Sequence, residues 1–362
     1  MTLDQIRYDC RYFRGDIPCK PNKQFNSTCP TCEQYQTASP KILIIKLGAI
    51  GDVIRTTPLI VRFKKEYPNC HITWVTLTPD VLPPNEIDQI YTLDFKSVFV
   101  LENSQFDIVI NLDKEPEACL LLEKVSAPQK YGFGWNGKHI VPANPAAEHK
   151  LITGFFDSES QKNTKSYLEE IFEICGFTFQ YEDYLLNVQP RFVEKWKTLR
   201  EIANGKKIVG LNTGCGKRWI TRMWEKENWV SLITILQKNG YFPVVIGGPD
   251  EHELNEYYQK TTNVYYPGFF PRDEFIGLCS NLDSVVTAVS MMMHIATALK
   301  TPMILFNNIF NKHEFELYGR GEIVSPISGC DCFYGVSCSR NRHCMKDISV
   351  DMVFEAIKRH TK

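Results

Sequence analysis

The chain has 362 residues, 43% apolar and 23% charged, with a formal net charge of −1 and a pI of about 6.7. That length exceeds one ordinary core and suits two domains of roughly 150 residues each. The near-neutral balance argues against a nucleic acid partner, whose phosphates select basic surfaces, and no apolar run reaches the roughly 18 residues of a membrane span.

The first 39 residues are polar and turn-rich (PCKPNK, NSTCPTC) and show no periodicity, so they read as a cysteine-rich appendage in need of a staple. MTLDQIRYDCRYFRGDIPC has no apolar signal core, which makes the expected location cytoplasmic, with at most peripheral contact with the inner membrane. From residue 40, strands and helices alternate. KILIIKL reads as a buried strand and DVIRTTPLIVRFKKEYP as one helix. HITWVTL, SVFVL and DIVINL read as further strands, and TKSYLEEIFEICG as a helix ending at Gly176. After a polar helix, RFVEKWKTLREIAN, the pattern restarts: KIVGLNTG (strand and turn), WEKENWVSLITILQKNG (helix), YFPVVIGG (strand), DEHELNEYYQKTT (helix), SVVTAVS (strand), MMMHIATALK (helix) and PMILFNN (strand). Short apolar strands with helical returns predict parallel sheets covered on both faces. The expected organisation is an appendage at 1–39, an α/β domain at 40–190, a second at 191–348 and a terminal helix at 349–362, which would cross back to the first domain. Ligands of doubly wound sheets bind at the carboxyl ends of the strands, which points to the loops around Gly48–Asp52, Thr213–Arg222, Gly247–Glu251, Ser290–His294 and Asn307–Phe310.

Four segments carry a resemblance in order and at matching spacing: KILIIKLGAIGDVIRTTPLI, GLNTGCGKRWITRMWEKENW, VVIGGPDEHE and VVTAVSMMMHIATALKTPMILF. Together with HEFELYGRG and the cysteine segment after it, they resemble glycosyltransferase family 9, the ADP-heptose:lipopolysaccharide heptosyltransferases. The resemblance implies a GT-B architecture of two Rossmann-like domains facing a cleft, with the nucleotide sugar on the second domain and the acceptor on the first. It also implies transfer with inversion, without a catalytic metal. The donor would be ADP-heptose or a related nucleotide sugar. The acceptor would be a lipid-linked saccharide, the lipopolysaccharide inner core. A protein hydroxyl is the alternative, as in autotransporter heptosyltransferases, some of which carry a four-cysteine iron site.

Asp52 follows the turn LGAIG. Asp fills a helix N-cap well, and an inverting transfer also needs a carboxylate to take the proton from the attacking hydroxyl. The family's base stands at this position. Gly48 and Gly51 would let the acceptor approach the backbone. In TGCGKRWITR, Thr213, Gly214, Lys217 and Arg222 resemble a diphosphate-binding loop, where cations and amides would stabilise the departing charge; a solvated basic turn reads equally from spacing. Glu251 begins a helix, which the macrodipole favours; by resemblance it accepts from the donor ribose. Ser290 and His294 open another helix near the diphosphate, with a structurally satisfied histidine as the other reading. Asn307, in the altered turn FNNIF, has an amide able to bind sugar or phosphate oxygens. Lys165 is a candidate on the acceptor side, while a capping box with Glu169 explains Ser166. Val289 departs from the family, which carries Asp there; valine leaves a facing hydroxyl unpaired and puts the identity of the donor sugar in question. A non-catalytic nucleotide-sugar-binding scaffold is the rival of another class.

Eight of the thirteen cysteines cluster. Cys330, Cys332, Cys338 and Cys344 have the spacing C-x-C-x5-C-x5-C and could close a tetrahedral site for zinc or iron. Cys10, Cys19, Cys29 and Cys32 form a looser second set. Either site would be structural, because four protein ligands leave no open position; an iron–sulfur cluster is compatible with the same donors.

Overall fold

The computed structural model describes residues 1–216, 219–338 and 340–361. The chain divides into two units, one of residues 1–48, 57–151 and 172–178, the other of 49–56, 152–171 and 179–362. The division falls between Gly48 and Ala49, so the helix that carries Asp52 belongs to the second unit.

The first unit holds six strands: β1 Lys41–Ile45, β2 His71–Thr76, β3 Gln89–Thr92, β4 Ile108–Asn111, β5 Gln129–Trp135 and β6 Ile140–Pro142. Their order is β3-β2-β1-β4-β5-β6, parallel except for β6, which runs antiparallel to β5. Ile42–Ile45 are fully buried because β1 has a parallel neighbour on each side and helices over the sheet. Leu43, Ile45, Val75, Val109, Leu121 and Leu122 form the core on one face.

The second unit holds β7 Ile208–Asn212, β8 Phe242–Ile246, β9 Ser284–Ala288, β10 Met303–Phe306 and β11 Gly321–Val324. All run parallel, in the order β11-β10-β9-β7-β8. The topological switch lies between β7 and β9, whose carboxyl ends are where a doubly wound sheet takes its ligand. The terminal helix Val350–His360 lies in this unit, its Val353, Ala356 and Ile357 packed with Leu232, Ile233 and Leu236 of the helix Lys226–Lys238. It completes the second core, where the sequence alone predicts a return to the first domain.

Three local expectations are corrected. RFVEKWKTLREIAN is not one helix but falls in two, Pro190–Lys195 and Thr198–Ala203. SVFVL is no strand but part of the helix Phe95–Glu102. Asp94 Oδ1 accepts from Ser97 N at 2.7 Å and Ser97 Oγ accepts from Asp94 N at 2.9 Å; this reciprocal cap starts the helix, while Phe95 and Phe99 stay exposed. The stretch after Gly51 is two helices, Ile50–Thr56 and Pro58–Glu66. Proline has no N–H for the ladder and sets the first turn of the new helix. Strands β3, β5, β6 and β11 had no signal above the surrounding loops.

Candidate functional site

In the second unit, Asn212 ends β7 and ties the switch point together. Its Nδ2 donates to Gly214 O and Thr287 Oγ1, both at 3.0 Å, and to Ser290 Oγ at 3.5 Å. Beside this knot lies a cavity of about 580 Å³, walled by Gly214, Cys215, Gly216 and Arg222 after β7, by Gly247–Glu251 after β8, by Ser290–Met292 after β9, and by Phe270, Arg272 and Phe275. Ile50 also lines it.

Four expected donor residues, Gly214, Arg222, Glu251 and Ser290, meet in this one cavity. Glu251 Oε2 accepts from Gly248 N at 2.9 Å, and its carboxylate lies against the Gly214 backbone: a Cβ on Gly214 would stand 2.0 Å from Glu251 Oε1. Glycine at 214 thus makes room for the carboxylate. Arg222 is buried and spent partly on its own loop, donating to Cys215 O at 2.5 Å and Trp219 O at 3.3 Å, with its guanidinium over the Phe310 ring. Burial draws its pKa below the ordinary arginine value. Thr213 sits behind the wall, its hydroxyl donating to Asn255 Oδ1 at 2.7 Å. Asn307 uses both ends of its amide on its own turn, with Phe310 O and Phe310 N, and does not line the cavity. Lys217 lies outside the described residues. Sequence reasoning missed Arg272, Phe270 and Phe275; the only trace of them is the string FFPRDEF, a Pro-Arg helix start with no phosphate pattern.

A second group lies in the same unit. The helix Ile50–Thr56 packs on the helix Met291–Ala298. Gly51 makes the contact possible: a Cβ there would stand 2.4 Å from His294 Cδ2. His294 is buried and stacks on Tyr184, and no partner reaches its Nδ1 among the described residues. Burial, with Arg55 adding to it and Asp52 opposing, pushes its pKa down to about 3, so the ring is neutral at ordinary pH. It does not line the cavity. Asp52 is paired with Arg55 at 2.8 Å and accepts from Ala49 N at 3.3 Å, with its side chain one-third exposed (33%). The Arg55 guanidinium lies on the Tyr167 ring at 3.5 Å. Burial works against its charge, but Asp52 and the surrounding oxygens raise its pKa above the ordinary value.

The remaining candidates sit elsewhere. In the first unit Asp113 accepts from Lys46 Nζ, Leu47 N and Gly48 N, closing the loop after β1 onto that after β4. Gly48 faces open space, and nothing there demands glycine sterically. Lys165 N donates to Asn163 Oδ1, and Ser166 forms a capping box with Glu169. At the C-terminal cysteines, Cys332 N donates to Cys330 Sγ at 3.4 Å and Asn308 Nδ2 to Cys344 Sγ at 3.5 Å. Burial pushes the Cys330 thiol up to about 12, and the Cys344 thiol beside it adds to the rise. Sulfurs that accept N–H bonds suit thiolate ligands, yet among the described residues no three His, Cys, Asp or Glu side chains stand in a geometry that would hold a metal ion.

Two doubly wound sheets, the second with a glycine-walled cavity at its switch point, have the architecture of the GT-B fold. The model of glycosyltransferase family 9 (heptosyltransferase) matches residues 99–319, more than half of the chain. The chain belongs to this family. It is 26% identical over 295 residues to lipopolysaccharide heptosyltransferase 3 of Escherichia coli K12, covering 70% of this chain and 78% of that one. It is 24% identical over 334 residues to lipooligosaccharide heptosyltransferase 2 of Campylobacter jejuni, covering 88% and 98%. Among solved structures, a family 9 glycosyltransferase of Veillonella parvula superposes with a TM-score of 0.69 at 18% identity, covering 90% of this chain and 97% of that one. The E. coli ADP-heptose lipopolysaccharide heptosyltransferase II gives 0.65 at 16%, covering 89% and 98%. The iron-containing dodecameric glycosyltransferase TibC of enterotoxigenic E. coli gives 0.56 at 16%, covering 90% and 79%. No helix among the described residues is long and apolar enough to cross a membrane.

Proposed function

We propose that this heptosyltransferase moves heptose from ADP-heptose, with inversion, to a hydroxyl of a lipopolysaccharide core saccharide at the cytoplasmic face of the inner membrane. One observation carries the reading. The partly exposed Asp52 carboxylate and the wall residue Ile50 occupy the same turn of one helix, in the unit that holds the nucleotide-sized cavity. This arrangement supports reading Asp52 as a general base beside the donor pocket.

In the proposed reaction, Asp52 takes the acceptor proton as the hydroxyl oxygen attacks the anomeric carbon, and the bond to the ADP oxygen breaks on the opposite face. Arg55, held on Tyr167, orients the carboxylate. Arg222, Arg272 and the loop amides at Gly214–Gly216 face the diphosphate as its charge grows. Glu251 accepts from the ribose hydroxyls. The neutral His294 packs against the base helix and acts as its support. No metal takes part in the bond changes.

The test is a calorimetric panel of ADP, UDP, GDP and their sugar conjugates on wild type and Asp52→Ala, with transfer assayed on core saccharides. Selective ADP-heptose binding kept by the variant, with transfer falling by about 10²–10⁴-fold, is the expected result. Selectivity for another nucleotide sugar would move the donor and make Val289 the first residue to examine. No nucleotide binding would sink the enzymatic reading in favour of a scaffold. A protein hydroxyl is the second acceptor, favoured by the cysteine segment 330–344 and the fold shared with an iron-containing glycosyltransferase. There Cys330, Cys332, Cys338 and Cys344 would hold a structural zinc or iron, tying the turn after β11 to the Asn308 loop.

A further inference from the structure

The appendage at 1–39 poses a physical problem that the transferase reading leaves untouched. Among its residues only Pro21 and Ala38 are buried. Its regular structure is two short 3-10 turns and the single helix Lys20–Phe25. A segment of this length with almost no apolar core does not order itself on burial alone; chains this small are held by disulfides, metals or a partner. Its ends are nonetheless pinned. Cys10 bridges Thr37, Arg11 N donates to Gln36 O at 2.8 Å, and Ala38 N donates to Asp9 O at 2.9 Å. Arg11 ties this point to the body of the first unit, donating to Asp88 Oδ1 at 2.7 Å and Cys70 O at 2.5 Å.

All four cysteines of the appendage line one cavity of about 320 Å³. Three local devices bring them there. Cys10 stands at the pinned ends, Cys19 precedes the first turn of the helix Lys20–Phe25, and Cys29 begins the 3-10 turn Cys29–Thr31 that Cys32 ends. The Cys29-x2-Cys32 spacing is that of a metal knuckle. The cavity lining contains Arg7 and Arg14 but no carboxylate and no histidine. A site for a free cation would be acidic, whereas a divalent metal bound by four thiolates carries a net charge of minus two, which Arg7 and Arg14 offset in part, Arg14 being shared with Asp16 at 3.4 Å.

We propose that Cys10, Cys19, Cys29 and Cys32 form a tetrathiolate zinc site that folds the appendage and fixes it to the first unit. Among the described residues no three of these ligand types already stand in metal geometry. Zinc–sulfur bonds of about 2.3 Å place tetrahedral sulfurs about 3.8 Å apart, so loading contracts the cavity. Four thiols give up their protons to solvent as four zinc–sulfur bonds form, and nothing is oxidised or reduced. The role is structural, because no coordination position remains open. It goes beyond the transferase reading and stands independently of it.

The test uses the full chain and separates this site from the C-terminal cysteines. In a Cys330→Ser/Cys332→Ser background, one equivalent of zinc per chain is expected by elemental analysis. Adding Cys29→Ser/Cys32→Ser should abolish it, and cobalt loading should lose its tetrahedral thiolate spectrum in step. Differential alkylation of wild type with peptide mapping needs no variant to fold. Cys10, Cys19, Cys29 and Cys32 should be protected together by zinc and labelled together once a strong chelator is added. Trypsin cleavage at Arg14 and Lys23 should rise on the same treatment. Labelling of these four at equal rates with and without metal, unchanged stoichiometry in the Cys29/Cys32 variant, or disulfides among them would overturn the proposal. So would iron in place of zinc, as far as the metal is concerned.

Discussion

Gly51 is kept small by its neighbour. Alanine there would gain about 1 kcal/mol of helix propensity, yet its Cβ would overlap the His294 ring at 2.4 Å. We expect Gly51→Ala to lower stability by about 1–3 kcal/mol net, as overpacking does. His294→Ala should relieve that loss in a double-mutant cycle; additive urea midpoints would refute the contact. His294 itself gives a pH signature. Its folded pKa of about 3 lies below the ordinary 6.5, so the unfolded chain binds the proton first as pH falls. The stability tied to the neutral ring is whole above about 6.5 and is lost down to about 3, at up to about 1.4 kcal/mol per pH unit. Urea midpoints measured from about pH 7.5 down to 4.5 should show this slope in wild type and a shallower one in His294→Gln. At Gly214, alanine would displace the Glu251 carboxylate from its seat at 2.0 Å. ADP affinity should fall at least tenfold, about 1.4 kcal/mol, with stability little changed; unaltered ADP affinity would remove Glu251 from the nucleotide site.

At the scale of elements, caps and loop ties decide what short apolar strings become. SVFVL has strand-like composition, but Asp94 and Ser97 cap it reciprocally and it forms a helix. Asp94→Ala should cost about 1 kcal/mol and speed amide exchange across Phe95–Glu102 only. The Asp113 carboxylate, buried with Lys46 and two backbone amides, sets the loop between β1 and Gly48. Removing it by Asp113→Ala takes the partner from a buried ammonium and should cost about 3–5 kcal/mol. A loss under 1 kcal/mol would mean that water reaches this pair. Neither device shows in periodicity, because each depends on which side chain reaches which backbone atom.

At the scale of the molecule, the cavity after β7, β8 and β9 and the helix Ile50–Thr56 share one unit although the chain visits the other between them. ADP bound only to the native state should stabilise by about 2.7 kcal/mol at a hundred times its Kd. Added protection in amide exchange should centre on the loops after β7, β8 and β9 and on Ile50–Thr56. Protection confined to the first unit would place the nucleotide elsewhere.

The alternation of apolar strands with amphipathic helices, the glycine turns after β1, β7 and β8, and the clustering of cysteines were legible in the residues themselves, because burial and turn chemistry act over a few neighbours. The family followed from four such segments in order. Tertiary structure alone decided that helix Ile50–Thr56 packs with the second unit, that His294 loses its charge, that Arg222 is drawn into its own loop while Arg272 enters the cavity, and that the terminal helix stays with the second core. Each of these turns on contacts between residues far apart in sequence, where desolvation and steric fit act through space and leave no periodic trace along the chain.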